Sequence, residues 1–291
     1  MGGGRVETDK TWDDAVDRWL TDKASKRSLR SDRSNIRWLN GFLSGVPLRQ
    51  IDRSFVDSLR MKKIASGASN ATVNRMLALL RAVLRMAVSD WEWMPSAPRV
   101  RLLCEPVRRV RFLSLKQAER LLSELPPHLA AMAAFSLATG LRRSNVTGLR
   151  WDQIDIKRQI ACFDGEDMKN GASQVVPLND DAMRILLARM GAHPVFVFTY
   201  KGRRIIQAST AAWYKALDRA GIYDFRWHDL RHTWASWHVQ SGTPLLALQE
   251  LGGWESAEMV RRYAHFAPSN LAEYAASLPS VVRPAAKNIV S

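Results

Sequence analysis

Apolar residues recur at helical spacing from Trp12 onward. Trp12, Ala15, Val16, Trp19 and Leu20 share one face, with Asp and Arg residues between them. Ile36, Leu39 and Leu43 mark a second helix, and Phe55, Val56 and Leu59 a third. The widest stripe lies over Thr72–Ser89, where Val73, Met76, Leu77, Leu80, Val83, Leu84, Ala87 and Val88 form the apolar face and Arg75, Arg81 and Arg85 sit off its centre. Four such helices predict a small helical bundle. Pro95 and Pro98 close it, and residues 95–111, PSAPRVRLLCEPVRRVR, read as a flexible basic connector.

A second pattern starts at Ser114. Ser114-x-x-Gln117 is a capping box ahead of Leu121, Leu122 and Leu125. His128–Thr139 is a helix of small apolar residues that Gly140 stops. The period then changes. Gln159–Phe163, Ser173–Pro177 and Pro194–Thr199 have strand character, with Gly165 and Gly171 as turn signals. After Ala208 the pattern is helical again. Thr243 is expected to cap a helix with Pro244 in its first position, Gly252-Gly253 to end it, and Ser256 to cap a short helix leading to Tyr263. The fold class is mainly α (α+β): an N-terminal helical bundle, then a mostly helical domain with a small antiparallel sheet.

Charge narrows the partner. The 291 residues carry 43 Lys+Arg against 28 Asp+Glu, a formal net charge of +15, and 46% are hydrophobic. Residues 1–105 hold 19 basic and 12 acidic residues, or +7; residues 106–291 hold 24 and 16, or +8. Both halves are therefore suited to one polyanion, nucleic acid first and an anionic membrane surface second. The longest apolar stretch, Leu129–Leu141, is shorter than the ~20 residues of a membrane span. Cys104 and Cys162 are too few for a disulfide framework or a zinc site, which fits a reducing cytosol.

The candidate chemistry is spaced along the second half. Arg142 lies in TGLRRSN, Lys169 in DMKNG, His228 and Arg231 in HDLRHTW, Trp254 in LGGW, and Tyr263 in RRYAH. His228 and Arg231 are three apart, so on a helix they address one phosphate together. Arginine brings a planar fork of donors, histidine donates or exchanges a proton, and indole N–H only donates. A tyrosine beside such cations is a candidate nucleophile for a phosphodiester. Each residue alone has an ordinary reading as a solvated charge or a packing group, and one of the neighbours Arg142 and Arg143 is such a charge. His232 and His265 are candidates for supporting the site.

In this order the segments resemble the tyrosine recombinases, the phage integrase family. The resemblance covers roughly residues 10–280 and is strongest in HDLRHTW, LGGW, YAH and TGLRRSN. It selects Arg142 over Arg143, and it alone assigns Lys169 to protonating the leaving 5′ oxygen. It implies that Tyr263 is the nucleophile, while Arg142, His228, Arg231 and Trp254 stabilise the phosphate. There are two departures: Trp254 stands where many relatives carry histidine, and Asn145 where many carry an acidic residue.

The resemblance further implies a core-binding SAM-like domain over 10–95, a basic linker over 96–111, a catalytic domain over 112–280 and a tail over 281–291 that contacts a neighbouring protomer. The expected partners are double-stranded DNA attachment sites, a homotetramer on DNA, and a host DNA-bending or directionality factor. No cofactor and no metal are expected, and the place of action is the bacterial cytoplasm. Asn74, Arg75, Arg81, Arg108 and Arg109 are the candidates for touching DNA. Two alternatives stay open: a type IB topoisomerase-like enzyme, and a DNA-binding regulator without catalysis.

Overall fold

A computed structural model describes residues 9–106, 110–165, 171 and 173–266. It divides into two units, Met1–Arg108 and Arg109–Ser291.

The first unit holds α1 (Trp12–Asp22), α2 (Leu29–Leu43), α3 (Arg53–Ala65) and α4 (Asn70–Ser89). Its helix starts follow the local chemistry. Thr11 and Asp14 form a reciprocal capping box on α1, and Asp52 and Ser69 cap α3 and α4 through their side chains. Trp12, Leu39, Leu43, Leu59, Met76 and Leu80 are fully enclosed between the helices. The buried indoles keep their N–H groups satisfied: Trp12 donates to Asn40 at 2.8 Å and Trp19 to Asp32 at 3.1 Å. Asp32 also pairs with Lys26 at 2.7 Å.

The stretch expected to be a flexible connector is tied down along much of its length. Val100 enters the core, and Ala97 and Leu103 pack against it. Asn74 reaches out of α4 to accept from the Leu103 N–H at 2.8 Å, while its amide nitrogen donates to the Leu103 carbonyl at 2.9 Å and to Glu105 at 2.7 Å. Asn70 donates to the Cys104 carbonyl at 2.8 Å. Asn74 is only 6% exposed, so its expected role as a base-reading side chain is corrected: both ends of its amide are used to hold residues 103–105. Arg75, one position on, is exposed, and Arg81 is half-buried. Arg108 and Arg109 lie outside the described residues.

The second unit opens with α5 (Leu115–Glu124), whose Ser114–Gln117 capping box forms as expected. Next come α6 (Pro127–Thr139), α7 (Arg143–Thr147) and three strands, β1 (Ile154–Asp155), β2 (Ile160–Phe163) and β3 (Gln174–Pro177). These form an antiparallel sheet in the order β1-β2-β3, with Ile154 opposite Ala161 and Ala161 opposite Val176. After α8 (Asp180–Leu187) a separate hairpin pairs β4 (Thr199–Tyr200) with β5 (Arg203–Arg204). The expected strand over Pro194–Thr199 is therefore corrected. Only Thr199 belongs to a strand, and Phe196 makes a single bridge to Arg150. Part of that segment is held by side chains instead: His193 Nδ1 accepts from the Val195 and Phe196 N–H groups, each at 3.0 Å.

The closing helices are α9 (Ala211–Arg219), α10 (Asp229–Gln240), α11 (Leu245–Gly252) and α12 (Ala257–Arg261), followed by a 3-10 turn at Ala264–Phe266. α6 carries apolar residues on most of its circumference and packs against both α8 and α10. Pro244, rather than Thr243, sits at the cap of α11. The Thr243 hydroxyl bonds His238 Nδ1 at 3.0 Å. Ser256 occupies the cap position of α12 without a side-chain cap bond. No helix among the described residues is long and apolar enough to cross a membrane.

Candidate active site

The site is assembled where α10 meets the ends of α6 and α11. Gly140 ends α6 in the left-handed region, at φ 63°, and Gly253 ends α11 in the same way, at φ 61°. These two turns leave backbone carbonyls facing α10, and Arg231 collects them. Its Nη1 donates to the Gly140 carbonyl at 2.6 Å and its Nη2 to the Gly252 carbonyl at 2.5 Å. The guanidinium lies over the Trp254 ring, 4.2 Å from its centroid.

Glycine is required at these turns for space as well as for φ. A Cβ on Gly140 would run into the Trp234 indole, and one on Gly252 into the Trp254 indole. Gln174, on β3, donates to the Leu251 carbonyl at 3.0 Å and packs against Gly253. This residue had no signal in the sequence: it is a strand glutamine whose partner lies 77 positions away.

Arg142 follows Gly140 and caps α7. It is half-buried, and its Nη2 donates to the Gly253 carbonyl at 3.2 Å. Arg143 is exposed. Asn145 is buried on α7, where its carbonyl oxygen accepts from the Ser144 hydroxyl at 3.3 Å.

The electrostatics of the arginine pair are unbalanced. Arg231 is 5% exposed. Loss of solvent, and then the charge of Arg142, push its pKa down to about 9, so it remains a cation at neutral pH. Burial lowers Arg142 as well, and Glu255 only partly offsets this. Among the described residues neither guanidinium has a carboxylate within ion-pair distance; their hydrogen-bond partners are the carbonyls of Gly140, Gly252 and Gly253. Two neighbouring cations held by neutral acceptors favour an incoming anion.

His228 precedes α10 and is exposed. Desolvation of its ring, and then Arg231, lower its pKa. Tyr263 lies just after α12 and is 1% exposed. Its ring is 5.8 Å from that of Trp254, centroid to centroid. Burial pushes its phenol up to about 12, against the opposing pull of Arg231 and Arg262. The phenolic oxygen is 2.5 Å from His232 Nδ1. Burial, and then His228, hold the His232 pKa down to about 4.

Five residues singled out from the sequence, Arg142, His228, Arg231, Trp254 and Tyr263, thus belong to one connected cluster, and His232 joins it. His265 does not: it is exposed, and its ring lies tilted by 46° against Phe266 with centroids 3.8 Å apart. Lys169 and the tail over 281–291 lie outside the described residues. No group of His, Cys, Asp and Glu suited to a metal ion occurs among the described residues.

Comparison with known proteins gives a consistent picture. Residues 111–270 match the profile of the phage integrase family, and residues 14–102 that of the phage integrase SAM-like domain. The chain is 39% identical to the integrase of Salmonella phage P22 over 94% of its own length and 81% of that protein's. It is 32% identical to the integrase of Haemophilus phage HP1, over 69% of its length and 58% of that protein's. Among solved structures, a lambda integrase tetramer bound to a Holliday junction superposes with a TM-score of 0.73 at 19% identity, covering 90% of this chain and 78% of that one. The Tn1549 transposon integrase bound to a circular intermediate DNA gives 0.72 at 16% identity, covering 90% and 97%. At those identities the two structures speak for the fold.

Proposed function

This chain belongs to the phage integrase family, and on that premise we propose how its residues carry out site-specific DNA recombination. The Tyr263 hydroxyl attacks the scissile phosphate. A bond forms between the phenolic oxygen and phosphorus, the bond to the 5′ oxygen breaks, and the protein is left on the 3′ phosphate. Arg142 and Arg231 neutralise the charge that develops on the non-bridging oxygens, and His228 donates to the same group. Trp254 supports Arg231 from below and offers its indole N–H to the phosphate. Lys169 is assigned by resemblance to delivering a proton to the leaving 5′ oxygen. A 5′ hydroxyl from the partner strand then attacks the phosphotyrosine and reverses the chemistry, so the phosphodiester energy is conserved.

The carrying observation is the arginine pair. Arg142 is close enough to Arg231 to lower its pKa, neither has a carboxylate within ion-pair distance among the described residues, and Arg231 acts on the buried Tyr263. Such an arrangement is stabilised by an anion with several acceptor oxygens, which describes a phosphodiester.

Residues 10–95 serve as the core-binding domain and 112–280 as the catalytic domain, joined by the basic stretch 96–111. Arg75 and Arg81 on α4, with Arg108 and Arg109, are its DNA contacts. The assembly on DNA is a homotetramer acting on two attachment sites through a Holliday junction, with a tail over 281–291 that docks on a neighbour and a host DNA-bending or directionality factor. It works on DNA in the bacterial cytoplasm.

The test is strand exchange between two labelled duplexes carrying the ends of the mobile element and its target site. Recombinant product that disappears in Arg142→Ala supports the reading. Relaxation of supercoiled DNA without any recombinant would assign the chemistry to a topoisomerase instead, and tight binding with neither product would leave a regulator.

A further inference from the structure

We propose that His232 accepts the Tyr263 proton during attack on the phosphate, and that the pair is stored unreactive until DNA arrives. This rests on the recombinase reading above and adds an assignment to it.

The geometry is specific. His232 is on α10, one position after Arg231, and its Nδ1 is 2.5 Å from the phenolic oxygen. The rings are tilted by 48° with centroids 5.8 Å apart, so the contact is made through the ring nitrogen rather than through stacking. It is the hydrogen bond that the Tyr263 hydroxyl makes in the described structure. The proposed transfer uses the Nε2–H tautomer of His232, in which the Tyr263 O–H donates and Nδ1 accepts. That is the ground-state arrangement for transferring the proton along the same line.

The surroundings explain why the pair is silent in the free protein. Arg231, Arg226 and Arg262 place positive charge around the two rings, and buried Asp229 is the acidic group that opposes it. Arg226 already engages Asp229 through its side chain at 2.9 Å. Burial first, and then this field, disfavour an imidazolium at His232, and burial keeps the proton on the phenol. A phosphodiester seated on Arg142 and Arg231 brings negative charge beside the ring and offsets that field. Proton uptake by His232 is thereby coupled to occupancy of the phosphate site.

The step balances. The phenolic oxygen forms its bond to phosphorus as its proton passes to His232 Nδ1. The bond to the 5′ oxygen breaks, and that oxygen takes a proton from Lys169 or solvent water. In the return step the incoming 5′ hydroxyl bonds to phosphorus and gives its proton to the Lys169 amine or to water, while the imidazolium gives its proton back to the phenolic oxygen as the phosphotyrosine bond breaks.

The test is single-turnover cleavage of a nicked duplex by wild type, His232→Ala and His232→Asn, with DNA affinity and circular dichroism measured in parallel. Asparagine keeps an acceptor near the Nδ1 position but does not take up a proton. Both variants are expected to bind the duplex normally and to cleave about 10²–10⁴-fold more slowly. Their rates are expected to rise by about tenfold per pH unit from pH 7 to 9, as the phenol must ionise unaided. The wild-type rate stays flat over that range. A 5′-bridging phosphorothiolate, whose leaving group needs no proton, is expected to leave the variants slow.

Wild-type rates and a flat profile in His232→Asn would overturn proton transfer and leave only positioning. Wild-type rates in both variants would overturn any role. Failure of the wild type itself to form a Tyr263-linked product overturns the recombinase reading, which is a separate outcome.

Discussion

Arg231 is held between a ring and two helix ends: its guanidinium lies 4.2 Å from the centroid of Trp254, while the carbonyl of Gly252, two residues before that tryptophan, accepts from its Nη2. The segment Gly252-Gly253-Trp254 thus acts on the arginine twice, through a π face and through a backbone oxygen. This gives Trp254 a function that does not depend on its own N–H.

Trp254→Ala removes that support and is expected to slow cleavage by about tenfold to a hundredfold, the range that loss of a desolvated cation–π contact supplies. Trp254→Phe keeps an aromatic face and should recover most of the loss. Single-turnover rates of the two variants on one duplex check this. Equal damage in both would assign the effect to the indole N–H.

Arg231→Lys keeps the charge but not the fork. One ammonium cannot serve the Gly140 and Gly252 carbonyls and a phosphate in the same plane. Cleavage is expected to fall by about 10²–10³-fold, and the fold to lose about 1–3 kcal/mol because buried carbonyls lose their donors. Covalent-complex yield and urea denaturation measure the two effects separately.

Gly140 is fixed by both φ and space, since a Cβ there meets Trp234. Gly140→Ala is therefore expected to destabilise the second unit by about 2–4 kcal/mol. A thermal melt tests this, and an unshifted transition would contradict the packing described for α6 and α10.

Much of this was legible in the sequence. The helix stripes, the Ser114–Gln117 box and the Gly140 stop all rest on local chemistry, and each appears where the pattern places it. The five clustered residues were also legible, because each lies in a short motif. What was hidden depends on long-range partners. Asn74 looked like a surface polar residue, yet its partners at 103–105 turn it inward. The segment Pro194–Thr199 looked like a strand, yet the His193 ring takes the Val195 and Phe196 N–H groups. The His232–Tyr263 bond joins residues 31 apart, which no periodicity encodes.

Stability should respond to both ends of the pH scale. In the folded protein His232 has a pKa near 4 against 6.5 when exposed. As pH falls from about 6.5 to 4 the unfolded chain binds the proton first, so stability is lost over that window. His228 and His238 are shifted in the same direction by burial and add to it. Tyr263 is raised from 10 to about 12. Above pH 10 the unfolded chain loses its phenolic proton first, and stability falls again as pH rises. Melting temperatures at about pH 8, 6.5 and 5 should decline, and the acid decline should be shallower in His232→Asn. A wild-type transition that does not move between pH 8 and 5 would contradict the burial of these rings.

In the proposed reaction Tyr263 becomes covalently joined to DNA, and covalent capture detects that bond. Wild type and Tyr263→Phe are incubated with nicked duplexes drawn from the ends of the mobile element, denatured in SDS, and assayed for protein-linked DNA. The account predicts linked DNA with wild type, its absence with Tyr263→Phe, and a tryptic peptide carrying the nucleotide on Tyr263. Linked DNA that persists in Tyr263→Phe, or tight binding by wild type with no link on duplexes it recognises, would contradict it.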